Sequence, residues 1–156
     1  MKRKTLISLL CCLVLTTTSI LHAQDPTLKD TTESKYKVGQ DVELQDSTRR
    51  EKESYFTVVK VETHLKLGII VHIAVRKLKM KNPRSPDGLS EDVNHMPFSE
   101  VALSKSAVKV LKDKVDLPDF EDGYREWREA FDAGHAGVYT ITLAEAVKVM
   151  EATLNQ

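Results

Sequence analysis

Apolar and polar residues alternate along the first part of the folded chain. Tyr36, Val38, Val42 and Leu44 are interleaved with Lys37, Asp41 and Glu43, which predicts a half-buried strand. Gln45 to Ser54 (QDSTRREKES) reads as a charged loop. Tyr55 to Thr63 (YFTVVKVET) is β-branched and aromatic, which predicts a second strand. After a turn over His64 to Gly68, Ile69 to Val75 (IIVHIAV) is almost unbroken apolar sequence, as expected of a central strand covered on both faces.

The phase then changes. Odd positions 69, 71, 73 and 75 are apolar, whereas 77, 79 and 81 are lysines and the apolar residues move to Leu78 and Met80. A β-bulge, or a strand that ends and resumes at an angle, restores the core-facing side in this way. Either one leaves Lys77, Lys79 and Lys81 as a solvent-facing basic stripe.

Asn82 to Pro97 (NPRSPDGLSEDVNHMP) reads as a long connection with three prolines and a Pro86-Asp87-Gly88 turn. Ser99 is placed to cap a helix over about residues 100–112, with Leu103, Ala107, Val110 and Leu111 on one face. Asp119 is placed to cap the next helix, where Phe120, Tyr124, Trp127 and Phe131 form an aromatic stripe that Gly134 terminates. Val138 to Ile141 is a short extended piece. Thr142 and Glu145 have the spacing of a capping box ahead of a last helix whose apolar face is Leu143, Val147, Met150 and Leu154. Strands come first and helices later, which predicts an α+β fold: an antiparallel β-meander of three to four strands with about three helices packed on one face.

The N-terminus changes what the rest of the composition means. Met1-Lys2-Arg3-Lys4 is basic, Leu6 to Leu15 is a compact apolar run, and small polar residues lead to Ala23, the three-part pattern of a cleavable signal peptide over residues 1–23. Residues 24–35 then read as a flexible leader and 36–156 as a single domain. Both cysteines, Cys11 and Cys12, fall inside the signal, so the mature chain has no disulfide and no thiolate chemistry. The whole chain carries 23 basic and 23 acidic residues; loss of Lys2, Arg3 and Lys4 leaves it slightly acidic, with no global attraction to nucleic acid. The expected location is periplasmic or extracellular, with no membrane span after cleavage.

Candidate chemistry is sparse. His64, His72, His95 and His135 survive cleavage, but no pair has ligand spacing, and no metal or cofactor is expected. There is no Gly-x-Ser-x-Gly elbow or Ser-x-x-Lys signature. The acids of residues 116–132 alternate with Arg125 and Arg128 as on a solvated helix face. The strongest pointer is regional: Arg76, Lys77, Lys79, Lys81 and Arg84 make a basic tract that runs into the loop bearing His95. The leading expectation is a non-catalytic binding module of the cell envelope or exterior, docking an anionic protein or envelope component through these six residues. One alternative is a small hydrolase or metal-dependent enzyme built on His72, His95 and Glu100. The other is a carrier with a cavity for a hydrophobic ligand between meander and helices.

Overall fold

The computed structural model describes residues 28–45 and 54–155. The proposed signal peptide, the start of the leader and most of the charged loop at 45–54 lie outside the described residues. The fold is α+β. Among the described residues there are eight strands, β1 (Leu28–Asp30), β2 (Asp41–Leu44), β3 (Tyr55–His64), β4 (Gly68–Arg76), β5 (Met80–Lys81), β6 (Leu89–Ser90), β7 (Val93–Ser99) and β8 (Ala107–Lys112). Three helices accompany them: α1 (Glu100–Ser104), α2 (Glu121–Asp132) and α3 (Leu143–Leu154). The main sheet has the order β7-β4-β3-β2-β8, with β1 pairing the far end of β3, and every one of its strand pairs is antiparallel. No described helix is long and apolar enough to cross a membrane.

The sheet is larger than the predicted three to four strands, for three local reasons. First, order begins before Tyr36. Leu28 is buried and pairs with His64, so part of the expected leader is a strand. Second, the connection at 82–97 contains most of β7, and also β6, which pairs with β5 in a separate two-stranded sheet. Pro97 hides β7 in the sequence, yet it is compatible with pairing because β7 is the sheet's edge strand. Third, the helix expected over 100–112 stops after Ser104, and Ala107–Lys112 becomes β8 against β2. Short apolar runs fit both periods, and here the valines and an open sheet edge decide for the strand.

Predicted strand positions 36–40 are a turn instead, with Gly39 at φ +84°. Two helix signals hold closely. The Thr142 hydroxyl accepts from Glu145 N and the Glu145 carboxylate accepts from Thr142 N at 2.8 Å, a complete capping box for α3. Gly134, at φ +77°, closes the C-terminal end of α2, where the amide of His135 donates to Ala130 O at 2.8 Å. The N-cap of α2 is Phe120, with no side-chain bond, rather than Asp119.

The helices do not share one face of the sheet. Val71, Ile73 and Val75 of β4 belong to the main core, with Met96 and Phe98 of β7, Ala102 and Leu103 of α1, and Leu143, Ala146 and Val147 of α3. His72 points the other way, and there Tyr124 and Trp127 of α2 pack on its ring with centroids 5.2 and 4.8 Å away. α2 therefore covers the face opposite α1 and α3. None of its residues is fully buried, so its attachment relies on the aromatic stripe and on the polar groups beneath it.

Candidate functional site

A bulge in β3 and the pairing of β7 with β4 build a polar cluster under α2. On β3, Phe56 and Val58 pair with Val75 and Ile73 on the core face. Val59 is then an extra residue: Lys60 pairs with His72 and Val61 with Val71. The pleat is reset by one residue, so Val61 keeps the core side while Lys60 and Glu62 swing to the face of His72. On β7, Met96 pairs with Ile73 but Val93 pairs with Val75, so Asn94 and His95 share the place opposite Ala74. Strand alternation already puts His95, between core-facing Met96 and the bulge and two residues from Pro97 opposite His72, on that same face, and the bulge returns Val93 to the core side beside Val75.

Glu62 is the hub. Its carboxylate is 4% exposed and receives the Tyr124 hydroxyl at 3.0 Å to either oxygen. Oε1 lies 3.8 Å from Lys60 Nζ and 3.6 Å from Arg128 NH1, while Oε2 lies 3.0 Å from His72 Nε2. That last contact is close but off the N–H axis, so His72 Nε2 has no well-aligned hydrogen bond. Lys60 also binds Asp30, and Arg128 binds Asp132. His72 is fully buried, and its Nδ1 is 2.9 Å from His95 Nε2, with the two ring planes 19° apart.

The electrostatics follow from burial and neighbours. Burial by itself would raise the Glu62 carboxyl. The hydrogen bonds and charges offered by His72, Tyr124 and Lys60 outweigh it and hold the group below its ordinary range. Burial lowers His72, only partly offset by Glu62, with the Lys60 and Arg128 cations adding to the depression. Burial and then the neighbouring His72 push His95 down to about 4. At neutral pH the cluster is thus an ionised carboxylate below two neutral imidazoles.

The cluster opens on one side. A cleft of about 670 Å³ lies at the β7 edge, where α2 and α3 approach from opposite faces of the sheet. His95 brings an imidazole and Glu126 a carboxylate to it; Met96, Trp127, Val138, Tyr139 and Met150 supply much of the apolar wall. The 136–139 segment is held beside β7 by Tyr139 N to Pro97 O at 2.8 Å and Ser99 N to Tyr139 O at 3.0 Å. Trp127 Nε1 donates to Gly137 O at 2.8 Å, which ties α2 to that wall. Gly123 lets α2 approach this closely: a Cβ there would stand 2.9 Å from the Cβ of His95.

No protein-family model, no curated protein and no solved structure matches this chain. The function therefore has to be argued from the cluster and the cleft themselves.

The six sequence-predicted binding residues do not form one surface. Lys77, Lys79, Lys81 and Arg84 are exposed, and the burial of Leu78 and Met80 between them confirms the lysine stripe. The turn that aims it is Lys77, at φ +57°, with β4 ending at Arg76 and β5 resuming at Met80. Arg76 is half-buried and donates to Val75 O and Asn94 Oδ1, both at 3.1 Å. His95 leaves the stripe altogether, because it alternates with core-facing Met96 on β7 and so lies under α2. His72 and His95 do meet, as the enzyme alternative requires, but Glu100 does not join them. It accepts from Ser34 Oγ at 2.5 Å and Lys35 N at 3.0 Å at the start of α1. The carboxylate at the histidines is Glu62. His64 caps its own turn through Nδ1, and His135 is exposed beyond α2. Among the described residues, no group of three His, Cys, Asp or Glu side chains is arranged to hold a metal ion.

Proposed function

We propose that this chain is an exported, non-catalytic binding module that takes a small, largely apolar molecule in the cleft at the β7 edge. The observation that carries the reading is the ending of the Glu62–His72–His95 chain in that cleft. A mostly hydrophobic concavity with a small number of oriented polar groups in its wall is the usual form of a small-molecule site. Acid–base catalysis is less well supported. A base held down to about 4 is weak at neutral pH, whereas an efficient one sits near the operating pH.

Trp127 is the chain's one tryptophan and lines the cleft, so its fluorescence reports occupancy. Phenol is expected to change that fluorescence saturably, with a Kd of ~1 mM for so small a probe. Gly137 lines the cleft, and a Cβ added there meets nothing within 4 Å, so Gly137→Phe should fill the space without disturbing the fold. The variant is expected to weaken phenol binding at least ~10-fold, the loss of a probe's main contact. An unchanged titration in Gly137→Phe places the probe elsewhere and ends the reading.

The exposed lysine stripe supports a second contact, with an anionic envelope component. At low salt the protein should co-sediment with vesicles of anionic phospholipid and not with zwitterionic ones, and Lys77→Glu with Lys79→Glu should abolish this. Equal sedimentation of the double variant would remove the stripe from the proposal.

A further inference from the structure

The Glu62–His72–His95 chain does more than support α2, because it fixes which hydrogens the cleft presents. A carboxylate offers only lone pairs. With the charged Glu62 Oε2 at 3.0 Å, His72 Nε2 carries the proton even though the contact is off the N–H axis, since a bare nitrogen would set its lone pair beside a carboxylate charge. Neutral His72 then has a bare Nδ1, and the His95 Nε2 at 2.9 Å must donate to it. Neutral His95 has spent its one proton on that bond, so its Nδ1 is bare too. Among the described residues no group bonds this nitrogen, and it is not among the buried polar atoms left without a partner, so it reaches the open cleft.

We infer that the cleft selects planar, uncharged ligands that present an O–H or N–H donor, such as phenols and N–H heteroaromatics, with His95 Nδ1 as the acceptor set by Glu62 through His72. This deepens the binding-module reading and rests on it. Trp127, Tyr139 and the two methionines offer a flat, polarizable body its contacts, and the bare nitrogen reads its donor. A ligand with only an acceptor in that position meets lone pair with lone pair.

The arrangement also says how to reverse the preference. Lys60 and Arg128 stand at the Oε1 side of Glu62, so in Glu62→Gln they hold the amide oxygen there. The amide NH2 then faces His72 Nε2 and donates to it. His72 must carry its proton on Nδ1 and donate to His95 Nε2, which leaves the proton of His95 on Nδ1, pointing into the cleft. One substitution, remote from the ligand, turns an acceptor site into a donor site.

The test combines imidazole 15N NMR, which identifies the protonated nitrogen of each histidine, with titrations of phenol (a donor) and pyridine (an acceptor of the same ring size). At neutral pH the wild-type protein should show His95 protonated on Nε2 and should prefer phenol by roughly tenfold, the usual worth of one well-made hydrogen bond. Glu62→Gln should show His95 protonated on Nδ1 and prefer pyridine. His95→Phe, which removes the acceptor while filling its space, should abolish the phenol preference even if Glu62→Gln does not fold. Wild-type His95 protonated on Nδ1 overturns the inference whatever binds. The expected tautomer with no phenol preference overturns the ligand class. The expected tautomer with neither probe bound removes the cleft-binding reading, and the ligand class with it.

Discussion

Glu62→Leu is expected to lower the unfolding free energy by about 3–5 kcal/mol, the usual result of removing one partner from a buried charged network. The size follows from what the substitution strands. His72 is fully buried and would lose the carboxylate beside its Nε2. The Tyr124 hydroxyl would lose the carboxylate that receives it, and Lys60 and Arg128 the charge they share. The two cations are each about a quarter exposed and can turn to water, so the larger part of the cost falls on His72 and Tyr124. Because α2 has no fully buried residue, the loss should also loosen α2 ahead of the sheet. Urea denaturation followed by far-UV circular dichroism and by Trp127 fluorescence checks both points. The fluorescence transition should come at lower urea than the sheet transition. A loss under ~1 kcal/mol, the range of an exposed ion pair, would show that Glu62 is not the hub of the cluster.

The sequence reading was strongest where a residue pattern decides local geometry without help. The β3 and β4 strands, the lysine stripe, the capping box of α3 and the Gly134 stop all rest on such patterns. It failed where pairing at a distance decides. Ala107–Lys112 suits helix and strand alike until β2 offers an edge, and β7 is disguised by Pro97 and by polar neighbours. The site was half legible. His72 and His95 are candidates on the sequence, and their meeting depends on β7 pairing with β4 in a register that sets Pro97 opposite His72, which no local periodicity reveals. Glu62 was missed although a signal existed. Apolar residues fall on even positions at Phe56 and Val58 and on odd positions at Val59 and Val61, the same one-residue change of phase that is conspicuous after Val75. Read that way, Glu62 lands on the face of His72 and not in the core.

Stability is expected to fall steeply as the pH drops from about 6.5 towards 4, because the fold keeps the two imidazoles neutral. An unfolded histidine takes up its proton near 6.5, but folded His95 does so only at about 4. Between these values the unfolded chain binds more protons than the native one, so acid favours unfolding. The contribution of His95 is thus fully present above 6.5 and gone near 4. It amounts to roughly 2 kcal/mol after allowance for its partial contact with solvent. His72 is lowered in the same direction and adds to the loss in the same region. Glu62 works in a lower window: its folded carboxyl is held below the ordinary value of 4.5, so its contribution is present above that value and disappears only as the pH falls further. The groups around the imidazoles sharpen the first step. Lys60 on β3 and Arg128 on α2 repel an added proton, and Glu62 is the one carboxylate set against His72. Urea unfolding at a series of pH values should therefore give a two-part decline, shallow above 6.5 and steep below it. His95→Phe should show a clearly shallower slope across the same interval, since one of the two proton-excluding groups is gone. An identical slope in that variant would move the acid sensitivity away from this cluster. Loss of the α2 signal at the same pH as the slope would tie the cleft's shape to the charge of the histidines beneath it.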